Sequence, residues 1–310
     1  MSLGCKTEDL LKRFLKKHLR RFVPNTLKQV VRRHWESGNE LPRSSTREWR
    51  IEEGAADVTC TSGSGWSFKV PAESLVDLER YVQTSQGRTE LEVLSIISES
   101  GGVMFDIGAH AGLMSAIFCA AHVSNRAYSF EPSPILCRRL EDISNLNGFG
   151  DRMSIQNRGI GAETGRAQML LDPVGGFVQS HRFAQTMWSD PIEIDFEVET
   201  IERASMRLKV VPDVIKIDIE GYEFEAIQGS TRFLTEHRPR LLLELHLNYL
   251  EEKQCSAKEL LQMLRDCGYA IYSYSGRVLS DRQIIDSPLG NVQLMLCASD
   301  GHFLPPKKAV

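Results

Sequence analysis

The sequence has no long apolar run. Its longest uncharged apolar run, Leu113 to Ala121, has nine residues, whereas a membrane-spanning helix needs about 20. Basic residues such as Lys12 and Lys16 interrupt the beginning of the chain, so the apolar core of a secretory signal is missing as well. We therefore expect a cytoplasmic protein.

Paired cysteines and several catalytic motifs are also missing. The seven cysteines are scattered and none forms a C-x-x-C pair, which is unlike a disulfide framework or a zinc ribbon. We expect reduced, mostly buried thiols. The sequence contains no G-x-x-x-x-G-K loop, no G-x-S-x-G turn and no H-x-x-x-H spacing. This excludes P-loop enzymes, serine hydrolases and metalloproteases of the common types.

Positive charge is concentrated in residues 1–35. This stretch holds ten lysines and arginines against two acids, a net charge of +8, although the whole chain carries −4. Its apolar residues recur every three or four positions up to Pro24, which predicts an amphipathic helical extension. The helix could pack on the main domain, or residues 6–35 could contact an anionic membrane. A nucleic-acid partner is not expected, because the rest of the chain is acidic.

The remaining chain divides into a linker with a small irregular region at 36–88, a main domain at 89–300 and a tail at 301–310. In the main domain, β-rich runs alternate with helical patterns, which is typical of βαβ units. We predict an α/β fold with a doubly wound, seven-stranded, mostly parallel sheet and an antiparallel edge strand. The predicted strands are 103–106, 127–130, 153–156, 214–218, 240–246, 270–275 and 292–297, with a helix at 222–235 and none between the last two strands.

A wider insertion interrupts this alternation at 160–200. Hairpin-like strands are predicted at 167–171 and 194–198, on either side of a segment rich in turn residues. We predict that segment 172–193 is a lid on the acceptor side, and a plain surface excursion is the alternative.

A glycine turn follows the first strand of the main domain. Residues 103–112 read VMFDIGAHAG and lead into an apolar helix, an arrangement that brings backbone N–H groups to a nucleotide at the carboxyl end of a parallel sheet. A dinucleotide site requires G-x-G-x-x-G, but position 110 is His and the strand ends in Asp106. A carboxylate there repels phosphates and attracts cations. The turn therefore favours S-adenosylmethionine, which has a sulfonium and an ammonium but no phosphate.

The second strand ends at Glu131, nineteen residues after Gly112. In nucleotide-binding folds an acid at this place accepts hydrogen bonds from ribose hydroxyls. The turn and the acid together predict an adenosine-containing cofactor.

Two later strands also end in polar residues. Asp218 and Glu220 alternate with isoleucines, and Glu244 and His246 alternate with leucines. Polar groups at the end of a buried strand are costly unless they serve a site. His246 is the natural base for a hydroxyl acceptor, because the ordinary pKa of histidine is close to neutral. A neighbouring carboxylate is the alternative base.

Three roles stay open for Asp218. It could orient the acceptor, hold the ammonium of the cofactor, or ligate a divalent metal together with Glu220. A bound divalent metal is possible but not expected, because Lys216 is close in the sequence and can pair with these carboxylates.

These motifs resemble the FkbM-type class I S-adenosylmethionine-dependent methyltransferases, which have a Rossmann-like fold. The resemblance covers roughly residues 66 to 300. Two features depart from the family pattern, namely His110, where the family often has Asn, and the basic extension at 1–35. The matching motifs are FDIGAHAG (105–112), FEPSP (130–134), DVIKIDIEGYEFEAIQG (213–229) and RPRLLLELH (238–246).

The resemblance implies a role for each matching residue. Glu131 would hold the ribose, and Asn157, after the third strand, would contact the adenine. Asp218, Glu220, Glu244 and His246 would form the reaction side. The residues expected to line the cofactor are Asp106, Gly108, Ala109, His110, Gly112, Glu131, Pro132, Asn157 and Asp218.

The expected activity is O-methylation of a hydroxyl on a small-molecule, sugar or natural-product acceptor. Two alternatives are an RNA methyltransferase recruited by the basic helix and a noncatalytic protein that binds S-adenosylmethionine. The sequence makes no prediction of the oligomeric state.

Overall fold

The structure is a computed structural model that describes residues 49–298, apart from 55, 75–77, 79–80, 82–83, 172–177, 180–190 and 289. The described residues lie in the second of two units of the chain, Arg47–Val310. The basic extension predicted at 1–35 and the tail predicted at 301–310 lie outside the described residues, so their predictions stay untested.

The second unit contains fourteen strands and nine α-helices among its described residues. The strands are β1 (Arg50–Glu53), β2 (Asp57–Thr61), β3 (Ser67–Pro71), β4 (Val103–Ile107), β5 (Arg126–Phe130), β6 (Met153–Gln156), β7 (Gly159–Ile160), β8 (Gly165–Leu171), β9 (Val178–Gln179), β10 (Ile192–Glu199), β11 (Val214–Ile217), β12 (Arg240–His246), β13 (Tyr269–Ser273) and β14 (Asn291–Ala298). The helices are α1 (Ser85–Ser98), α2 (Leu113–Ala121), α3 (Pro134–Asn147), α4 (Ile201–Leu208), α5 (Glu223–Gln228), α6 (Thr231–His237), α7 (Leu247–Glu252), α8 (Ala257–Asp266) and α9 (Asp281–Ile285).

A seven-stranded sheet forms the centre, in the order β13-β14-β12-β11-β4-β5-β6. Strands β12, β11, β4, β5 and β6 pair in parallel, and β14 is antiparallel to both of its neighbours. The mixed α/β fold with a mostly parallel sheet is therefore confirmed. The last two strands pair antiparallel as predicted, but the reversed strand, β14, lies one place in from the edge. The prediction that no helix separates them is wrong, because α9 lies between them.

The sheet carries a hydrophobic core on each face. Met104, Val214 and Leu242 pack on one side, together with residues of α1 and α2. Ile215 and Leu243 pack on the other side, together with residues of α8. Central parallel strands are apolar on both faces for this reason, so any charged side chain at their ends needs a specific partner.

The first three strands form a separate antiparallel sheet, β1-β2-β3. Alternate residues of β2 and β3, such as Val58 and Phe68, are buried in the core shared with Met104. The region predicted as a linker at 36–88 thus contributes three strands to the packing of the main domain.

The insertion forms a third sheet, in the order β7-β10-β8-β9. The predicted strands at 167–171 and 194–198 lie within β8 and β10, which pair antiparallel. Most of the lid predicted at 172–193 falls outside the described residues, so it stays a prediction.

Two further predictions are settled by the helices and the thiols. The helix predicted at 222–235 is divided into α5 and α6. Gly229, between the two, lies so close to Ala162 that an added Cβ would be 2.4 Å from its carbonyl oxygen. Five described cysteines are free, and four of them are buried, as expected. In the described part of the chain, no helix combines the length and hydropathy that crossing a membrane requires.

Candidate active site

The strand order reverses between β4 and β11, which is where ligands bind in open α/β sheets. The register places Lys216 of β11 opposite Asp106 of β4. The polar ends predicted from the sequence therefore meet at one crevice.

The glycine turn after β4 is fixed by two close approaches. Gly108 has a φ of +77°, and a Cβ there would lie 1.8 Å from the carbonyl oxygen of Asp218. Gly112, the N-cap residue before α2, has a φ of +90°, and a Cβ added there would lie 2.5 Å from Cδ2 of Leu140. Only glycine both fits the limited space and adopts the left-handed backbone without strain at these positions.

His110 also adopts a left-handed backbone, with a φ of +50°. Asparagine, aspartate and histidine are the residues other than glycine that tolerate this region best, so the histidine fits the turn. The backbone N–H of His110 donates to Glu131 Oε2 at 3.0 Å. The N–H groups of Gly108 and Ala109 both donate to the carbonyl of Phe130 at 3.0 Å, so the turn is tied to the end of β5.

Glu131 is buried at the end of β5. Its Oε1 accepts from the backbone N–H of Ser133 at 2.9 Å, while Oε2 accepts from His110. Burial raises the pKa of this carboxyl to about 7, although the two backbone donors oppose the shift. Each oxygen keeps a second lone pair that could accept a ribose hydroxyl.

Asn157 braces the loop that carries this acid. Its Nδ2 donates to the carbonyls of Glu131 at 3.1 Å and Pro132 at 2.9 Å. The structure thus brings Asn157 and Pro132 next to Glu131. A contact of Asn157 with adenine stays a prediction, with its Oδ1 as the side-chain atom not used in these bonds.

Asp106 is fully buried. Ser115 of α2 donates to its Oδ2 at 2.6 Å, whereas Oδ1 accepts no hydrogen bond among the described residues. Burial raises the pKa of this carboxyl, and Lys216, whose Nζ lies 3.9 Å from Oδ1, opposes the shift. Ser115 was not singled out from the sequence, although a polar residue inside the apolar run of α2 could have indicated it.

Lys216 lies buried between two acids. Its Nζ is 3.2 Å from Asp218 Oδ2 and 3.9 Å from Asp106 Oδ1. Burial lowers the pKa of Lys216, but the charges of Asp218 and Asp106 outweigh it and hold the pKa well above its ordinary value. The sequence predicted that Lys216 can pair with Asp218 and Glu220, and the pair with Asp218 is confirmed.

The four residues predicted for the reaction side come together around one imidazole. The Nε2 atom of His246 lies 3.5 Å from Glu220 Oε2, 3.9 Å from Asp218 Oδ1 and 4.0 Å from Glu244 Oε1. His246 is 8% exposed, so the ring faces the carboxylates rather than bulk water.

Glu223 holds the other ring nitrogen. Its Oε1 lies 2.9 Å from His246 Nδ1 and also accepts from the backbone N–H groups of Ile219 and Gly221. Glu223 is fully buried at the start of α5. Sequence reasoning missed this residue, although it stands within the motif at 213–229.

The charges around His246 decide its protonation. Burial lowers the pKa of the ring, but the hydrogen bond to Glu223 and the charges of Glu223, Glu220 and Asp218 outweigh it and raise the pKa to about 10. With only these neighbours, the ring is protonated at neutral pH and has no lone pair for a second proton. This protonation favours a carboxylate as the base, and the choice between His246 and a neighbouring carboxylate stays a prediction.

Two carboxylates of the cluster are shifted in the direction that suits a base. Burial raises the pKa of Glu220 to about 7, with His246 opposing. Burial and the charge of Asp218 raise the pKa of Glu244, whose Oε1 accepts from Asn291 Nδ2 at 2.6 Å. The pKa of Asp218 is lowered, because Lys216 and His246 outweigh the effect of burial.

The fold and this crevice define a Rossmann-like methyltransferase. The protein-family model described as "Methyltransferase FkbM domain" matches residues 106–271, which is more than half of the chain. The chain therefore belongs to the FkbM methyltransferase family, and the family predicted from its motifs is confirmed.

Individual relatives are distant. Hexuronic acid methyltransferase AglP of Haloferax volcanii is 23% identical over 171 residues, covering 55% of this chain and 67% of AglP. The crystal structure of methyltransferase FkbM from Methylobacillus flagellatus is 20% identical with a TM-score of 0.40, covering 64% of this chain but only 43% of that one. The crystal structure of M. jannaschii TYW2 in complex with AdoMet is 12% identical with a TM-score of 0.35, covering 83% of this chain and 87% of TYW2.

Proposed function

We propose that this protein is an S-adenosylmethionine-dependent O-methyltransferase that acts on a hydroxyl of a sugar or another small hydroxyl compound. One observation carries the proposal: the glycine turn and the carboxylate cluster touch. The space that a side chain at Gly108 would need is occupied by the backbone of Asp218, whose side chain begins the cluster around His246. A cofactor on the turn and an acceptor at the cluster would thus be neighbours.

The residues of the turn suit a cation. Asp106 and Glu131 are buried acids beside it, and Asp106 Oδ1 lacks a hydrogen-bond donor in the described structure. Lys216 balances only part of this negative charge. A pyrophosphate would be repelled here, whereas an ammonium or sulfonium would be attracted, and the free lone pairs of Glu131 suit ribose hydroxyls.

The protein has to position the acceptor and remove its proton. When bound, S-adenosylmethionine supplies a methyl on a sulfonium, so that transfer forms a carbon–oxygen bond, breaks the carbon–sulfur bond and leaves S-adenosylhomocysteine and a proton. Glu220 and Glu244 can take that proton, since both face the cleft beside His246 and both have raised pKa values. Such a base contributes about 10²–10⁴-fold to the rate.

The acceptor class is supported by the AglP relative, whose name gives a hexuronic acid as its substrate. The hydroxyls of a sugar can donate hydrogen bonds to the carboxylates of the cluster. Because a uronic acid also has a carboxyl, the product distinguishes ether formation on a hydroxyl from ester formation.

Calorimetry with S-adenosylmethionine and with NAD tests the cofactor. We expect heat from S-adenosylmethionine only, and binding of NAD alone would refute the proposal. The acceptor is tested with labelled S-adenosylmethionine and a panel of sugars, uronic acids, amines and RNA.

We expect label in sugar products that survives mild base, as methyl ethers do. Label only in base-labile esters or amines would contradict O-methylation of a hydroxyl, and label only in RNA would contradict a small acceptor. A noncatalytic protein would transfer no label to any acceptor. The variants Glu220→Gln and Glu244→Gln would then show no fall in product yield. The surface variant Glu251→Gln on α7 is the matched control.

A further inference from the structure

The cluster around His246 has spacings that hydrogen bonds do not explain. An N–H···O bond joins atoms about 2.7–3.2 Å apart, but Nε2 lies 3.5 Å from Glu220 and 3.9 Å from Asp218. Two ligands that each lie about 2.0–2.2 Å from one ion are about 3–3.6 Å from one another. The spacing of Nε2 from Glu220 lies within this range, and its spacing from Asp218 is a few tenths of an ångström longer. One ligand atom from each of Asp218, Glu220 and His246 lies within 4.8 Å of the others.

A second, independent feature is the way the ring is held. Glu223 is fully buried and occupies Nδ1, which directs Nε2 into the space between the carboxylates. Histidines that bind metals have this arrangement, with a carboxylate on the ring nitrogen that does not face the ion. His246 is itself more than nine-tenths buried and aimed into the cluster.

The charge balance also calls for a cation. Asp218, Glu220 and Glu244 converge on one ring, and Glu223 adds a fourth acid behind it. Lys216 contacts only Asp218 of these four. The protonated ring of His246 balances one of these charges, and buried carboxylates without a full counter-charge are costly. A divalent ion that replaces the ring proton would supply two positive charges at the point where three carboxylates meet.

We propose that Asp218, Glu220 and His246 bind a divalent cation at the acceptor end of the crevice. Two carboxylate oxygens and one imidazole nitrogen suit Mn²⁺ or Zn²⁺ better than Ca²⁺ or Mg²⁺, which prefer oxygen alone. This proposal replaces the expectation from the sequence that no metal is used, and it selects metal ligation among the three roles predicted for Asp218.

The role of the ion, unlike its binding, rests on the proposed function. A divalent cation lowers the pKa of an oxygen ligand, so it would hold the acceptor hydroxyl and ease the loss of its proton. Glu244 is outside the ligand set and is fixed by Asn291. It is then the carboxylate that takes the proton, whereas Glu220 stays on the ion.

The test is Mn²⁺ alone, titrated into chelator-treated full-length protein, with free Mn²⁺ followed by electron paramagnetic resonance. We expect one ion per chain, displaced by Zn²⁺. Glu220→Gln is the safest variant for folding, because its side chain is 33% exposed, and it should weaken binding at least about tenfold. His246→Ala should do the same.

Two control variants separate ligation from general attraction. Glu244→Gln removes an equally close charge that is not a ligand and should change the Mn²⁺ affinity less than about threefold, and the exposed Glu251→Gln should change nothing. If Glu244→Gln weakens binding as much as Glu220→Gln, the cluster only attracts cations and the proposal is wrong. Mn²⁺ binding that does not saturate by 1 mM, about −4 kcal/mol, also overturns it.

Failure of the metal and failure of the methyltransferase proposal give different results. Calorimetry of S-adenosylmethionine in the presence of chelator reports on the cofactor turn alone. Cofactor binding without Mn²⁺ binding refutes only the metal site. Mn²⁺ binding without cofactor binding supports the metal site and refutes the proposed function.

Discussion

Glu223 and His246 meet through a 2.9 Å hydrogen bond although they belong to different elements, the first turn of α5 and the end of β12. Parallel pairing of β11 with β12 brings these two ends side by side. The bond fixes the ring, so all chemistry at Nε2 depends on a carboxylate that never reaches the cleft.

Replacing Glu223 should impair turnover more than cofactor binding. We expect Glu223→Gln to lower kcat about 10–100-fold, the usual effect of losing such a supporting group, with the Kd of S-adenosylmethionine within about twofold. The control is Glu225→Gln on the same helix, where a partly buried carboxylate pairs with Lys253 rather than with His246. Equal effects of both variants on kcat would contradict the positioning role.

A side chain at Gly108 should abolish cofactor binding. In Gly108→Ala the new Cβ meets the backbone of Asp218 at a φ of +77°, so we expect a loss of about 2 kcal/mol or more of stability. Gly148→Ala is the matched control, because Gly148 has a φ of +61° but nothing within 4 Å of its Cβ. It should cost about 1 kcal/mol and leave calorimetric binding intact. Similar losses in both variants would mean that backbone strain alone, and not the contact, requires Gly108.

Cofactor affinity should depend on pH through Glu131. Its pKa of about 7 lies above the ordinary value of 4.5, so the carboxylate that would accept ribose hydroxyls forms only as the pH rises through 7. Between pH 8 and pH 6 the ionised fraction falls about tenfold, and the Kd of S-adenosylmethionine should rise by that factor. In Glu131→Gln the Kd should be weaker and independent of pH over this range. An affinity that increases on acidification would exclude the assignment.

Removing Lys216 should destabilise the fold. Lys216→Met leaves the buried acids Asp106 and Asp218 without their counter-charge, and loss of one partner from a buried ion pair costs about 3–5 kcal/mol. Urea unfolding measures the change. Adding Asp106→Asn should restore part of the stability, because it removes one uncompensated charge. A double variant that is less stable than Lys216→Met would show that the two residues do not interact.

The periodicity of the sequence predicted most of the central sheet. Strands 153–156 and 240–246 match β6 and β12 residue for residue, because buried parallel strands are short apolar runs with clear ends. Periodicity carries no information on which strand lies beside which. The placement of β14 between β12 and β13 was therefore not predictable from the pattern alone.

The strand pattern also predicted part of the site, but it could not predict contacts between residues of different elements. Asp218 and His246 could be placed together because carboxyl ends of parallel strands share an edge. The protonation of His246 could not be predicted, because it depends on Glu223, which reaches the ring only after the chain turns at Gly221 and enters α5. Long-range contacts of this kind decide which of several polar residues can act as the base.

The insertion between β6 and α4 has a consequence for how this protein can diversify. Among the described strands, β7 to β10 pair only with one another and not with the seven-stranded sheet. Lengthening or replacing the β8–β10 hairpin would leave the alignment of Asp106 with Lys216 untouched. If the lid predicted at 172–193 selects the acceptor, descendants of this chain can change substrate there and inherit the same arrangement of charged groups at the crevice.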